Sequence, residues 1–180
     1  MPLNGLSRLA LAPLLLGLAC VSLSLASLSC SNLSINSLMT YKVQNEFSVP
    51  LATLTTTGQD TKWSFTINIG PEVDSISTAP SQIYSAKVSR VLLVSDATYP
   101  LTNLSSASLY VSSHSVKDTL VGQTNVFKSA SQVDLTPNMT EIASALHDSI
   151  LTFTLHLTAK TIPTGADSLQ CNPTIAVISR

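Results

Sequence analysis

Charge is scarce in this chain: Asp, Glu, Lys and Arg make up 11% of its 180 residues, where about a quarter is usual for a globular domain. With a formal net charge of -1 and no clustered Lys and Arg, the sequence lacks the footprint that phosphate binding needs, which argues against nucleic acid as a partner. Glycine is also sparse, six in all. None falls into G-x-x-x-x-G-K-[ST] or G-x-G-x-x-G, so nucleotide cradles are missing and no cofactor is expected. His114, His147 and His156 form no i, i+4 pair, and no two cysteines stand at zinc-ligand spacing, so no metal is expected. The G-x-S-x-G nucleophile elbow is absent. Of the ten acidic residues, Glu72 and Asp74 are closest in sequence, in an expected turn, which is poor material for paired-carboxylate chemistry. No catalytic residue is assigned and the chain is not read as an enzyme. A hydrolase would have to be assembled from distant parts, with one of the three histidines reaching a Ser or Asp.

What the chain has in quantity is Ser and Thr, roughly a quarter of all residues, against a globular average well below that. The N-terminal region is the other pronounced feature. Met1 to Arg8 supply one positive charge, and Leu9 to Ala19 form the apolar stretch LALAPLLLGLA. This is signal-peptide length and short of the roughly 20 residues that span a bilayer. Cys20 follows Gly17-Leu18-Ala19 directly. That junction resembles the lipobox of bacterial lipoproteins, with Gly17 where the family usually has Leu, Val or Ile. The resemblance implies acylation of the Cys20 thiol, with Cys30, after Ser27-Leu28-Ser29, as the alternative; an ordinary signal peptidase could instead cut after Ala26. Lipidation at Cys20 leaves Cys30 and Cys171 as a pair able to form a disulfide in an oxidising compartment. Cys171 reads equally well as a small buried hydrophobe on a strand. The expected organisation is a signal peptide at 1–19, an anchor and tether at 20–37, and one domain over 38–180.

Within that domain a period of two dominates, the signature of strands with one wet face. Tyr41, Val43, Phe47 and Val49 alternate with Lys42, Gln44, Glu46 and Ser48; Trp63, Phe65, Ile67 and Ile69 with Lys62, Ser64, Thr66 and Asn68; Leu151, Phe153, Leu155 and Leu157 with Thr152, Thr154, His156 and Thr158. Further strands are expected at 51–57, 83–95, 107–112, 119–122, 132–135 and 174–179, with Val91 to Val94 in a central position covered on both faces. Turn residues separate them, at Thr57-Gly58-Gln59-Asp60, Gly70-Pro71-Glu72, Thr98-Tyr99-Pro100 and 163–167. One short helix is expected over 139–147, capped by Asn138 with Glu141 reaching back to the cap. The fold class is all-β, an antiparallel Ig-like sandwich with one short crossover helix; a closed barrel is the alternative.

Exposed Ser108, Tyr110 and Ser112 are candidates for adaptable hydrogen bonding on a strand face. Sequons stand at Asn32, Asn103 and Asn138, consistent with a secreted glycoprotein as the competing reading. With the Gly17 to Cys20 junction and Val133-Asp134-Leu135-Thr136-Pro137, the chain resembles small bacterial envelope lipoproteins that carry an Ig-like domain. The resemblance implies attachment to a membrane through an N-terminal lipid, without assigning an activity to any residue; a protein or glycan ligand is expected by analogy with other sandwiches that serve as binding modules.

Overall fold

The computed structural model describes residues 39–76, 82–95, 98–165 and 167–179. The expected signal, tether, Cys20, Cys30 and Asn32 lie outside them. Nine strands follow in chain order: β1 (Met39–Gln44), β2 (Phe47–Pro50), β3 (Asp60–Asn68), β4 (Ile83–Ser95), β5 (Leu104–Ser112), β6 (Thr119–Thr124), β7 (Gln132–Pro137), β8 (Ile150–Ala159) and β9 (Ser168–Ser179). All their pairings are antiparallel. Hydrogen bonding runs along a single path, β1-β9-β4-β7-β6-β5-β8-β3, with β2 also paired to β9. The path curls over itself into a β-sandwich, as the alternation of oily and hydroxyl residues requires. β7 makes the corner: Gln132 to Leu135 pair with β4, and Thr136 and Pro137 with β6.

The two layers meet through the inward residues of that alternation. Val49, Leu93, Leu109, Phe153, Leu155 and Ile175 are wholly buried. Phe47 of β2 crosses to the other layer, stacking on Phe65 with centroids 5.0 Å apart and lying 5.5 Å from Phe153. Gly122 serves a close approach at the β7 corner, since a Cβ there would stand 3.3 Å from Val91 Cγ2. Two helices complete the described chain, α1 (Gly70–Ile76) and α2 (Ala143–Leu146). Neither is long and apolar enough to cross a membrane.

Several local expectations need correction. Strand 41–49 is broken into β1 and β2 at Asn45 and Glu46, opposite Pro173 of β9, which has no N–H for the ladder; Asn45 N–H instead donates to the Pro173 carbonyl at 3.1 Å. Residues 51–57 form no strand. Leu51 and Leu54, three apart, are both buried, and a 3-10 turn over Leu51–Thr53 puts them on one side. The Gly70-Pro71-Glu72 turn opens α1: Asn68 Oδ1 accepts from Gly70 N–H at 2.9 Å, and Pro71 and Glu72 occupy the first turn, where both are favourable. The second helix is confined to Ala143–Leu146, and Ile142 rather than Asn138 holds its cap position, without a capping side chain. Val91 to Val94 are central, between β9 and β7, but Leu92 and Val94 are only half-buried, so the outer face of β4 is not fully covered.

Candidate functional site

The outward residues of β3, β8, β5, β6 and β7 fall into register. Lys62 faces His156, His156 faces Ser108, Ser108 faces Gln123, and Gln123 faces Thr136. With strands about 4.8 Å apart, this single row runs roughly 19 Å across the sheet. Parallel to it lie Ser64, Thr154 and Tyr110, then Thr66, Thr152 and Ser112. Hydroxyls bond hydroxyls within the array, Ser64 to Thr154 at 3.1 Å and Thr66 to Thr152 at 3.2 Å. These side chains stand out from the sheet because alternation along each strand turns the intervening residues, mostly apolar, toward the core. The consequence is an outer face rich in neutral donors and acceptors, with Lys62 and His156 toward one side. Ser106, Ser108, Gln123, Thr124, Asn125 and Thr136 border a surface recess of about 450 Å³ on it.

At the charged corner of this face a histidine named from the sequence is hydrogen-bonded to an acid. His156 Nδ1 is 2.9 Å from Asp60 Oδ2, an ion pair when the imidazole is protonated. The His156 ring also lies against Tyr110, centroids 4.7 Å apart. Asp60 and His156 thus have the geometry of an oriented general base, but no hydroxyl bonds to His156 among the described residues, and an activated nucleophile needs that contact. The other two histidines are exposed, His114 in the loop between β5 and β6 and His147 after α2. No group of three or more metal-ligating side chains occurs among the described residues.

Other flagged residues have structural work. Cys171 lies on β9 between Phe47 of β2 and Leu93 of β4, wholly buried, and burial pushes its thiol up to about 12. The reading of Cys171 as a small core residue describes its place; its proposed partner Cys30 is outside the described residues. Asn138 Nδ2 donates to the Leu120 carbonyl at 3.2 Å and to Thr140 Oγ1 at 3.1 Å, so its amide joins β7 to β6 and does not cap a helix. Glu141 does not reach back to Asn138; it accepts from Ala86 N–H at 2.6 Å, Ser85 Oγ at 2.6 Å and Ala143 N–H at 3.1 Å. Ser108, Tyr110 and Ser112 are half-buried members of the array. Gln123 and Thr136 carry no site reading from the sequence, because their place in the row depends on register, and Asp60 is read there only as part of the turn at 57–60. Alternation gives a residue's face but not its opposite number.

No protein family matches the chain, and no curated protein matches it. Among solved structures it is similar to a chain of turnip yellow mosaic virus, at 13% identity over 82% of this chain and 85% of that one, TM-score 0.30. A chain of desmodium yellow mottle tymovirus gives 15% identity over 78% and 89%, TM-score 0.30. One from a Kashmir bee virus empty particle at acidic pH gives 9% over 80% and 95%, TM-score 0.32. A likeness this faint carries nothing about function.

Proposed function

We propose that this protein is exported, anchored in the cell envelope by a lipid on Cys20, and works as a non-enzymatic module whose sandwich binds a protein or glycan. The observation that carries the binding part is the row Lys62, His156, Ser108, Gln123 and Thr136 on one continuous outer face. Such a face offers many exchangeable hydrogen bonds and little charge, suited to a neutral polar partner held by area and complementarity. The anchoring part rests on the apolar stretch ending at Cys20 and its resemblance to a lipobox.

Metabolic labelling with radioactive palmitate tests the anchor. The wild type is expected to take up label and Cys20→Ala to lose it. Label retained in Cys20→Ala and lost in Cys30→Ala moves the anchor, whereas an unlabelled mature chain beginning at Ser27 selects a secreted, unlipidated form. The face is tested with the double variant Ser108→Arg, Gln123→Arg, which places two cations mid-row on solvent-facing positions. Crosslinking of this variant to isolated envelopes is expected to fall several-fold with the melting temperature unchanged. Undiminished crosslinking removes the face from the proposal.

A further inference from the structure

The two free edges of the sheet are finished differently. One is short and interrupted: β1 has six residues and β2 four, with Asn45 and Glu46 between them and Pro50 at the end of β2. Short edge strands and prolines are among the devices that keep an edge from pairing. β3, at the other edge, has nine residues without proline, glycine or bulge, in unbroken register with β8. Among the described residues no second strand pairs with it.

Two observations show that this edge is left incomplete. Ile69 N–H donates to the Ser149 carbonyl at 2.8 Å, continuing the register in which Asn68 faces Ile150. Hydrogen-bonded pairs alternate along an antiparallel ladder, so the odd-numbered residues of β3 are the ones bonded to β8. Asp60, Lys62, Ser64, Thr66 and Asn68 therefore aim their N–H and C=O groups at the free edge. The core-facing side chains are also incompletely covered. Trp63, Phe65 and Ile67 remain half-buried, although Leu155, Phe153 and Leu151 opposite them on β8 are wholly buried.

We propose that β3 pairs with β3 of a second copy of this chain, antiparallel about a twofold axis at Ser64. This register uses all nine residues of the strand. It sets Asp60 against Asn68, Lys62 against Thr66, Trp63 against Phe65, and Ser64 against its own counterpart. Asp60 and Lys62 are the only charges on β3, and neither meets its like. Parallel pairing in register would set Lys62 on Lys62, as would an antiparallel axis at Lys62. Lys62 thus guards the edge against other pairings and permits this one. Trp63 and Phe65 form two aromatic pairs across the axis, a favourable cross-strand combination, and cover each other's exposed surface. The outer hydroxyl faces of the two copies join into one sheet, which doubles the area offered to a partner. The inference stands apart from the anchor and the ligand: it is read as chain mass, whereas the face is read by crosslinking to envelopes.

Sedimentation of the full-length chain in density-matched detergent is expected to give twice the mass of one chain at tens of micromolar. Emission of Trp63, the single tryptophan, is expected to move to shorter wavelength as the dimer forms. Thr66→Lys places a second cation against Lys62 on both sides of the axis and is expected to weaken the dimer roughly tenfold. Adding Lys62→Glu to that variant is expected to restore it. Mild oxidation of Ser64→Cys is expected to link two chains, since facing Cα atoms in such a pair stand about 5.5 Å apart. Thr66→Cys is expected to stay at the wild-type level of linkage, because its two copies lie about 13 Å apart along the strands. A single-chain mass at tens of micromolar overturns the proposal, and slow exchange of the β3 amides in that monomer would assign the edge to another segment of the same chain. A dimer indifferent to Thr66→Lys, or linked equally through Thr66→Cys, also overturns it, since the contact then lies elsewhere.

Discussion

Asp148 stands between α2 and β8, yet the segment it organises is the loop between β5 and β6. Its carboxylate accepts from Ser113 Oγ at 2.5 Å, from Ser115 N–H at 2.7 Å and from Ser115 Oγ at 2.6 and 2.7 Å. The Ser113 and Ser115 hydroxyls and the Ser115 amide, with a smaller pull from His114, hold the Asp148 carboxyl down to about 2. The ordinary Asp value is about 3.9, so the folded state holds this proton less tightly than the unfolded state does. The charged group's contribution to stability is therefore complete above about pH 4 and is lost as pH falls through 2. Urea denaturation of wild type and Asp148→Asn across that interval checks it: the variant is expected to be less stable at pH 5, with the gap closing toward pH 2. A gap of constant size would mean the loop is held by shape and not by charge. At Cys171 the expectation is kinetic. A thiol pushed up to about 12 in the core forms almost no thiolate, the reactive species, at neutral pH. Maleimide is expected to leave Cys171 unmodified in the native protein, and labelling without denaturant would contradict its burial.

At the level of elements, β4 shows how a strand tolerates irregularity. It runs for 13 residues with register shifts against β9 between Ile83 and Ser85 and between Val88 and Arg90. Near the first, Glu141 supplies the acceptor that Ala86 N–H needs, and Ile142 N–H donates back to the Ala86 carbonyl at 2.8 Å. Burial works to raise the Glu141 carboxyl, but the Ala86, Ser85 and Ala143 donors outweigh it and the net direction is down. Glu141→Ala strands a buried N–H and is expected to cost about 1–3 kcal/mol, read from the urea midpoint; Glu141→Gln, which keeps one acceptor oxygen, should fall between. The strands with clean alternation, β3 and β8, were legible because each turns one face to the core, wholly buried in β8 and half-buried in β3, and wets the other, and their ends differ from expectation by one or two residues. The failures have a common cause. The last strand is expected only from Thr174, yet β9 begins at Ser168, because the proline at 173 faces the β1 to β2 break and leaves the pairing with β4 intact. Neither the row across five strands nor the break at Asn45 and Glu46 could be read in advance, since both arise from which strand lies beside which.

Over the whole molecule the question is how a sheet that does not close into a barrel keeps its two free edges together. β1 and β2 lie at one end of the hydrogen-bonded path and β3 at the other. Phe47 stacks on Phe65 across that seam and lies 5.5 Å from Phe153, the partner of Phe65 on the neighbouring strand β8. Aromatic contact thus replaces the ladder that a closed barrel would have made there, and the sandwich keeps edge backbone groups unpaired. Such edges invite pairing with other chains, and the outward Lys42 and Lys62, both exposed, oppose it by charge. Because the seam is held by side chains, removing one should loosen it before it loosens anything else. Phe47→Ala deletes a ring that is 7% exposed, and a loss of about 3–5 kcal/mol is expected, as for other buried phenylalanines. Hydrogen exchange gives the sharper reading. Amides of β2 and β3 should lose protection in the variant at denaturant concentrations where β4, β9, β5 and β8 keep theirs, since those strands are paired on both sides. Uniform loss across all strands would mean instead that the two layers open as one cooperative unit and that the aromatic stack has no special hold on the edges.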